Sequence, residues 1–393
     1  MRRASIGLLL LSAACARSSS VNPLAASDPA SAATLKSAFA GAFRVGAALN
    51  ENQFTERDTI GAALVKRQFN TITPENVLKW EAVHPQPNTY NFTPADRYVE
   101  FGERNGMFII GHTLVWHSQT PRWVFQDANG APITRDALIQ RMHDHIATVV
   151  GRYKGRIKGW DVVNEAVEED GTMRRSPWFN IIGEDFVALA FKFAHEADPA
   201  AELYYNDYSI ENAPKRNGAV SLIRKLQAQG IHVAAMGLQG HDKMAWPTVE
   251  QQDSTIVAFG ALGVKVNITE LDVDVLPPVT RGQTADVAAR AGFEASANPF
   301  SAGLPDSVQL ALAKRYADLF AVFLKHRDVI GRVTFWGVAD ADSWLNNWPV
   351  RGRTSYPLLF DRQHQPKPAF GAVIDAVRRA AAERNRSAIP FTE

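Results

Sequence analysis

The sequence contains a single cysteine, Cys15, among 393 residues, and no sign of charge dominates it. A domain that follows Cys15 has no disulfide to form. Lys and Arg number 42 against 41 Asp and Glu, which gives a formal net charge of +1. No basic block is interleaved with aromatic residues, so no nucleic acid partner is expected. The balance of charge favours a neutral partner.

Long apolar runs are also scarce. The start, MRRASIGLLLLSAACA, has a charged head, an apolar stretch and small residues, which is the pattern of a signal peptide. We expect residues 1–16 to be removed and the protein to be exported, to the periplasm or the medium. The same stretch resembles a bacterial lipoprotein site shifted by one residue, so a lipid anchor at Cys15 is an alternative. Residues 17–38 have the composition of a tether, and no other run predicts a membrane span.

What the sequence does contain is an alternation of short apolar runs with segments of helical periodicity. The runs are FRVGAAL at 43, FNTITPEN at 69, MFIIGHTLVW at 107, IKGWDVVNE at 157, ELYYNDY at 202, HVAAMGLQGH at 232, VKVNITELDV at 264 and RVTFWGVAD at 332. Eight βα units in residues 39–385 predict a single (β/α)₈ barrel, followed by a tail at 386–393. A doubly wound open sheet is the alternative, although no glycine-rich phosphate turn follows the first run.

Each run is apolar at its start and polar at its end. In a (β/α)₈ barrel the active site lies at the C-terminal ends of the strands, so these polar residues should meet in one basin. Glu165 and Glu270 stand out because two buried anions in an apolar basin are costly unless chemistry uses them. Two facing carboxyl groups are what cleavage of a glycosidic bond requires. The pattern therefore predicts a glycoside hydrolase.

The motifs that carry these residues resemble those of the family 10 glycoside hydrolases, the retaining endo-β-1,4-xylanases. They are TPENVLKWE (73–81), GHTLVWHSQTPRW (111–123), WDVVNEAVEEDG (160–171), ADPAAELYYNDY (197–208), LQGH (238–241), ITELDV (268–273) and TFWGVADADSW (334–344). The resemblance extends from about residue 40 to 380. It implies cleavage of internal β-1,4 bonds in xylan and xylo-oligosaccharides, without a cofactor and without a metal.

The resemblance also implies roles for individual residues. Glu165 matches the acid/base and Glu270 the nucleophile, with carboxyl groups about 5–5.5 Å apart. The residues implied to bind substrate are Glu75, Asn76, Lys79, His112, Trp116, Gln119, Asn164, Gln239, His241, Trp336 and Trp344. Asn164 matches the residue that contacts the sugar 2-hydroxyl, and Trp344 with Gln119 would crowd the hydroxymethyl group of a glucoside. The His112–Thr113 peptide matches a strained position that can be cis.

The strand pattern adds three expectations of its own. Glu270 and Asp272 are two residues apart and should face the same way, so Asp272 can orient His241 against Glu270. Asn164 and Glu165 are adjacent and can both reach substrate only if the strand ends or bulges there. Four other tryptophans are expected to pack in the core: Trp80, Trp123, Trp160 and Trp178.

Other functions remain open at this point. A β-1,4-glucanase or mannanase of related barrel type would share the carboxyl pair. A metal-dependent barrel hydrolase would need a His-x-His at the end of the first strand, but that strand ends at Asn50, and His143 and His145 lie in a helical segment. A non-catalytic sugar-binding barrel would lose a carboxylate. The loop after His241 and the long insertion at 275–306 leave the preference for decorated xylan open. We expect a monomer.

Overall fold

The computed structural model describes residues 33–279, 284–292 and 294–387. The predicted signal peptide and Cys15 lie outside the described residues. The strands are β1 (Arg44–Leu49), β2 (Thr71–Pro74), β3 (Phe108–Val115), β4 (Gly159–Asn164), β5 (Glu202–Asp207), β6 (Ala235–Leu238), β7 (His241–Lys243), β8 (Lys265–Asp274) and β9 (Ile330–Phe335). The α-helices are α1 (Leu35–Ala38), α2 (Glu51–Phe54), α3 (Thr59–Gln68), α4 (Trp80–Val83), α5 (Thr93–Arg104), α6 (Arg135–Arg152), α7 (Pro177–Ile182), α8 (Phe186–Ala197), α9 (Ala213–Ala228), α10 (Val249–Gly260), α11 (Asp306–Lys325) and α12 (Pro368–Ser387).

The strands close into a barrel. Strands β1 to β6 pair in parallel in chain order, β6 pairs with β8, β8 with β9, and β9 with β1. This closure confirms the predicted (β/α)₈ barrel and excludes the doubly wound open sheet. The eight predicted runs coincide with β1 to β6, β8 and β9. Strand β7 is an addition, which continues from β6 after a turn at Gly240 and pairs His241 with Asp272 on the upper part of β8.

Helix α6 illustrates why the segments between the strands are helical. The hydroxyl of Thr134 accepts a hydrogen bond from the Ala137 N–H, 3.3 Å away, and so caps the first turn. Leu138, Met142 and Ile146 recur every four residues and are fully buried, so one face of the helix packs on the barrel. None of the helices within the described ranges is both long enough and apolar enough to cross a lipid bilayer.

The ordered domain includes helix α1, which falls in the last residues of the segment predicted as a tether. Leu35 is fully buried, and its N–H donates to Gln68 Oε1 at 3.0 Å. Burial of this side chain ties α1 to α3 and to the outer layer of the barrel.

The tryptophans expected in the core follow their predicted burial with one difference. Trp80, Trp160 and Trp178 are at most 2% exposed. Trp123 is only partly buried and packs edge-on against the ring of Trp80, with 6.3 Å between centroids.

Candidate active site

A cleft of about 590 Å³ opens at the C-terminal ends of the barrel strands. The predicted site residues that line it are Glu75, Asn76, Lys79, His112, Trp116, Gln119, Asn164, Glu165, Gln239, His241, Glu270, Trp336 and Trp344. Asp272, the remaining predicted residue, lies behind His241. The fold thus brings together side chains from six barrel strands or from the loops that follow them.

Backbone geometry at the end of β4 turns two adjacent side chains into this cleft. The pairing of β4 with β5 shifts register between Asp161 and Val163, and the strand ends at Asn164. Glu165 then adopts a left-handed conformation with φ of 58°. Its N–H donates to Asn206 O and its carbonyl accepts from Arg174 Nε, each at 2.9 Å. These bonds hold a conformation that a non-glycine residue rarely adopts.

The Glu165 carboxyl group is buried and surrounded by neutral donors. Oε1 accepts from Gln239 Nε2 at 2.9 Å and from Asn164 Nδ2 at 3.1 Å, and Oε2 accepts from Trp116 Nε1 at 2.9 Å. Burial raises the pKa of Glu165 to about 7, and the negative charges of Asp207 and Glu270 add to this effect against the hydrogen bonds. A carboxyl group with this pKa can hold a proton near neutrality and still release it.

The Glu270 carboxylate has the opposite electrostatic environment. Oε1 accepts from Asn206 Nδ2 at 2.8 Å, and Oε2 accepts from His241 Nε2 at 3.2 Å. Burial alone would raise the pKa of Glu270, but the hydrogen bond from His241 and nearby positive charge lower it below its ordinary value. Glu270 is therefore held as an anion in the same cleft as Glu165, whose raised pKa favours the protonated form.

His241 connects Glu270 to the strand position two residues further on. Its Nδ1 lies 3.1 Å from Asp272 Oδ1. Burial alone would lower the pKa of His241, but the Asp272 and Glu270 carboxylates raise it to about 10. Both ring nitrogens then carry protons: Nε2 donates to Glu270, and Nδ1 forms an ion pair with Asp272 without good hydrogen-bond geometry. The arrangement is the one that the i, i+2 spacing on β8 predicts.

Tryptophan side chains line the cleft beside the Glu270 carboxylate. Trp344 Nε1 donates to Asp272 Oδ2 at 2.7 Å, and its indole stacks on that of Trp348 with centroids 4.4 Å apart. Trp336 contacts the His112 ring edge-on, with centroids 5.5 Å apart. Flat apolar faces of this kind bind the C–H face of a sugar ring, and their N–H groups fix its orientation.

Polar groups line the opposite side of the cleft. Lys79 Nζ donates to Gln119 Oε1 at 2.8 Å and to Asn76 Oδ1 at 3.1 Å, and lies 5.0 Å from the Trp116 ring centre. Burial raises the pKa of Glu75 to about 7, with a further contribution from the charge of Asp342. Lys79 is buried and both Lys79 and Glu75 line the cleft, so the two side chains are not a surface ion pair.

Several residues at the site were not assigned from the sequence. Asn206 Nδ2 donates to both Glu270 and Asn164. Its place at the end of the run ELYYNDY indicates a polar residue near the cleft but does not identify these partners. Asp161 accepts from His112 Nδ1 at 2.9 Å beneath the cis His112–Thr113 peptide. His117 Nε2 lies 3.9 Å from Glu165 Oε2, and burial lowers the pKa of His117 to about 4. No local pattern announces such contacts between separate strands.

The insertion at 275–306 contributes a border to the cleft. Ala285, Val287, Ala288 and Arg290 line it. Arg290 Nη1 donates to Asn347 O at 3.0 Å, and the Ala291 N–H donates to Pro349 O at 3.1 Å. These bonds fasten the described part of the insertion beside Trp348.

No group of three or more His, Cys, Asp or Glu side chains within the described residues has the arrangement of a metal site. The donors around both cleft glutamates are amide, indole and imidazole N–H groups. The chemistry that these glutamates can perform is proton transfer and nucleophilic attack.

Comparison with known proteins places this architecture in a family. The model of glycosyl hydrolase family 10 matches residues 34–376. Endo-1,4-beta-xylanase A of Xylanibacter ruminicola is 45% identical over 341 residues, 87% of this chain and 92% of that protein. A GH10 endoxylanase from a sugarcane soil metagenome has a TM-score of 0.83 at 47% identity, covering 88% of this chain and 99% of that chain. An intracellular xylanase of Thermoanaerobacterium saccharolyticum, solved with xylotriose, has a TM-score of 0.76 at 33% identity, covering 87% and 98%. The chain belongs to glycosyl hydrolase family 10.

Proposed function

We propose that this protein is a retaining endo-β-1,4-xylanase, with Glu165 as the acid/base and Glu270 as the nucleophile. The observation that carries the proposal is the pair of buried carboxyl groups in one cleft whose pKa values move in opposite directions. Environments that separate the pKa values of two titratable groups assign one as acid and the other as anion. The relatives described above are named as xylanases, which supports the choice of substrate.

The first step breaks the glycosidic bond. Glu270 Oε attacks the anomeric carbon, while the proton of Glu165 moves to the leaving oxygen, so the departing chain leaves as an alcohol. His241 and Asn206 hold Glu270 in place and keep it ionised before attack. In this proposal Asn164, whose Oδ1 accepts from Asn206 Nδ2 at 2.9 Å, donates to the 2-hydroxyl group of the sugar.

The second step hydrolyses the glycosyl-enzyme ester. Glu165, now a carboxylate, takes a proton from water, and the hydroxide oxygen attacks the anomeric carbon as the Glu270 ester bond breaks. Two inversions give net retention. A pKa of about 7 suits a residue that must act as acid in one step and base in the next.

Selection of xylose is proposed to rest on crowding. Trp344 and Gln119 both line the cleft, where they would oppose the hydroxymethyl group that xylose lacks and glucose carries. A β-glucanase or mannanase activity is the alternative. Sugar release from xylan compared with β-glucan and mannan separates these possibilities, and dominant release from either of the latter would refute the substrate assignment.

The division of roles is tested with an aryl xylobioside whose leaving group needs no proton. Glu165→Ala should still form the covalent intermediate but hydrolyse it slowly, because no base activates water. Azide, which needs no base, should restore turnover and give the β-glycosyl azide. Glu270→Ala lacks the nucleophile and should give almost no β-azide, although direct attack could give the α-azide. NMR identification of a β-azide from Glu270→Ala and none from Glu165→Ala would reverse the two assignments.

We also propose, from the sequence of residues 1–16, that the protein is exported and acts on extracellular or periplasmic xylan. Mass spectrometry of the mature protein tests this. Cleavage after Ala16 is expected, whereas diacylglycerol on Cys15 would identify a lipoprotein. A retained Met1 would contradict export through this segment.

A further inference from the structure

The opposite end of the barrel carries a second cavity, of about 130 Å³, which the xylan cleft does not share. Four of its lining residues, Arg44, Phe108, Glu202 and Lys265, are the first residues of β1, β3, β5 and β8. In a (β/α)₈ barrel, alternate strands supply one layer of four inward-facing side chains, usually bulky and apolar. Three of the four side chains in this layer are charged.

The next layer up contains a buried guanidinium group. Arg332 on β9 is 2% exposed and lines the cavity. Its Nη1 donates to Thr334 Oγ1 at 3.3 Å, but among the described residues its Nε and Nη2 have no hydrogen-bond partner. Asp161 Oδ1 is 3.7 Å from Nη2, beyond hydrogen-bond distance, and the other Asp161 oxygen is bonded to His112. Leaving charged donors unmatched in a buried position is costly.

The charges around the cavity are unbalanced. The three cations Arg44, Lys265 and Arg332 face two carboxylates, that of Asp161 beside Arg332 and that of Glu202, whose Oε2 accepts from the Tyr204 hydroxyl at 2.6 Å. The Arg44 guanidinium lies 4.0 Å from the centre of the Phe108 ring. Gly331 and Asn267 pack closely on the cavity wall, because a Cβ at position 331 would lie only 2.5 Å from Asn267 Oδ1. The cavity therefore combines room, excess positive charge and unmatched donors.

We propose that this cavity, the floor of the barrel, binds a small inorganic anion of the halide type. The anion accepts from the Nε–H and Nη2–H groups of Arg332, and Arg44 and Lys265 lie at the solvent-exposed rim, where Lys265 Nζ also donates to Asp328 O at 2.6 Å. A volume of about 130 Å³ accommodates one halide with one to three waters, since each water occupies about 30 Å³. Binding to the folded state alone stabilises that state as the anion concentration rises.

Two measurements on the full-length protein test the proposal. Crystals soaked in bromide should show an anomalous peak beside Arg332. The midpoint of thermal unfolding should rise and saturate when chloride replaces gluconate at constant ionic strength. Lys265→Met should raise the half-saturating chloride concentration about tenfold or more, because it removes one rim cation from an exposed position. Lys192→Met, on the exposed face of α8, loses the same charge elsewhere and should behave like the wild type.

Arg332→Met should abolish both the bromide peak and the saturable shift; if it fails to fold, Lys265→Met and Arg44→Met carry the test. Absence of bromide from the cavity would overturn the proposal. So would an equal chloride response in the wild type, Lys265→Met and Lys192→Met, because that response would report general screening.

Discussion

At Glu165, three hydrogen-bond donors fail to keep a carboxyl group acidic. Each donor favours the ionised form, but the removal of the group from water and the proximity of two other carboxylates favour the neutral one. The outcome is a pKa of about 7 instead of the ordinary 4.5. The pKa of Glu165 therefore depends on how many hydrogen-bond donors surround its carboxyl group.

The pH profile should report this tuning. In its proposed role as the acid, Glu165 must be protonated for the first step, so kcat/KM should fall as pH rises through about 7. Trp116→Phe removes the N–H that stabilises the ionised form, so the pKa should rise and the basic limb should move up by about 0.5–1 pH unit, the equivalent of about one hydrogen bond. Trp160→Phe is the matched control, since the Trp160 Nε1 has no partner among the described residues. A basic limb that stays in place in Trp116→Phe would show that another group sets it.

Trp344 should discriminate between sugars. Trp344→Ala opens space for a hydroxymethyl group, so activity on aryl cellobiosides should rise relative to that on aryl xylobiosides, by an amount worth on the order of 1–3 kcal/mol. Absolute activity on both should fall, because the N–H donated to Asp272 is also lost. The ratio of kcat/KM for the two substrates is the measurement, and an unchanged ratio would exclude Trp344 as the source of selectivity.

At the scale of elements, β8 delivers three carboxylates from one face through the two-residue period of a strand. Glu270, Asp272 and Asp274 alternate with apolar residues, and the short strand β7 aligns His241 opposite Asp272. The positions of Glu270, the proposed nucleophile, of Asp272 and of His241 are therefore fixed by a single register. A shift of one residue would turn all three carboxylates to the other face.

Asp272→Asn should reveal this coupling. Without the anionic partner the pKa of His241 should fall, and its hydrogen bond to Glu270 should weaken. The pKa of Glu270 should then rise, so the acid limb of kcat/KM should move to higher pH, with a loss of about 10- to 100-fold, or about 1.4–2.7 kcal/mol. Asp274→Asn on the same face of β8 is the control, because Asp274 bonds to the Leu276 N–H and not to His241. Equal acid limbs in both variants would contradict the coupling.

The sequence predicts elements and their polar ends well because these are local properties. Burial of a whole strand makes a run apolar, and the change to Asn164 and Glu165 marks where it meets the cleft. The partners of those side chains are different. Asn206 reaches Glu270 across the barrel, and Asp161 meets His112 from a neighbouring strand. Such pairs depend on the closure and stagger of the whole barrel, which no single segment encodes. Strand β7 and the path of the insertion were missed for the same reason.

At the scale of the molecule, the inward-facing side chains of one strand form a column that runs from one end of the barrel to the other. The column of β3 begins at Phe108 in the floor and reaches His112 in the cleft, and that of β5 begins at Glu202 and reaches Asn206. Because alternate residues of a strand face one side, both ends are built by the same strands. Asp161 and Arg332 lie between them in the barrel interior.

The pairing of β9 with β1 has a consequence for synthesis on the ribosome. The strand that closes the barrel is the last to emerge, and it joins Thr334 to Gly46 near the other end of the chain. Until then β1 and β8 both present unpaired backbone edges, which recruit other strands. A chain released after residue 326 should therefore aggregate, as measured by the soluble fraction and by light scattering, whereas the full chain at the same concentration should stay soluble. A soluble, monomeric fragment with native circular dichroism would mean that the nascent chain protects its edges before closure.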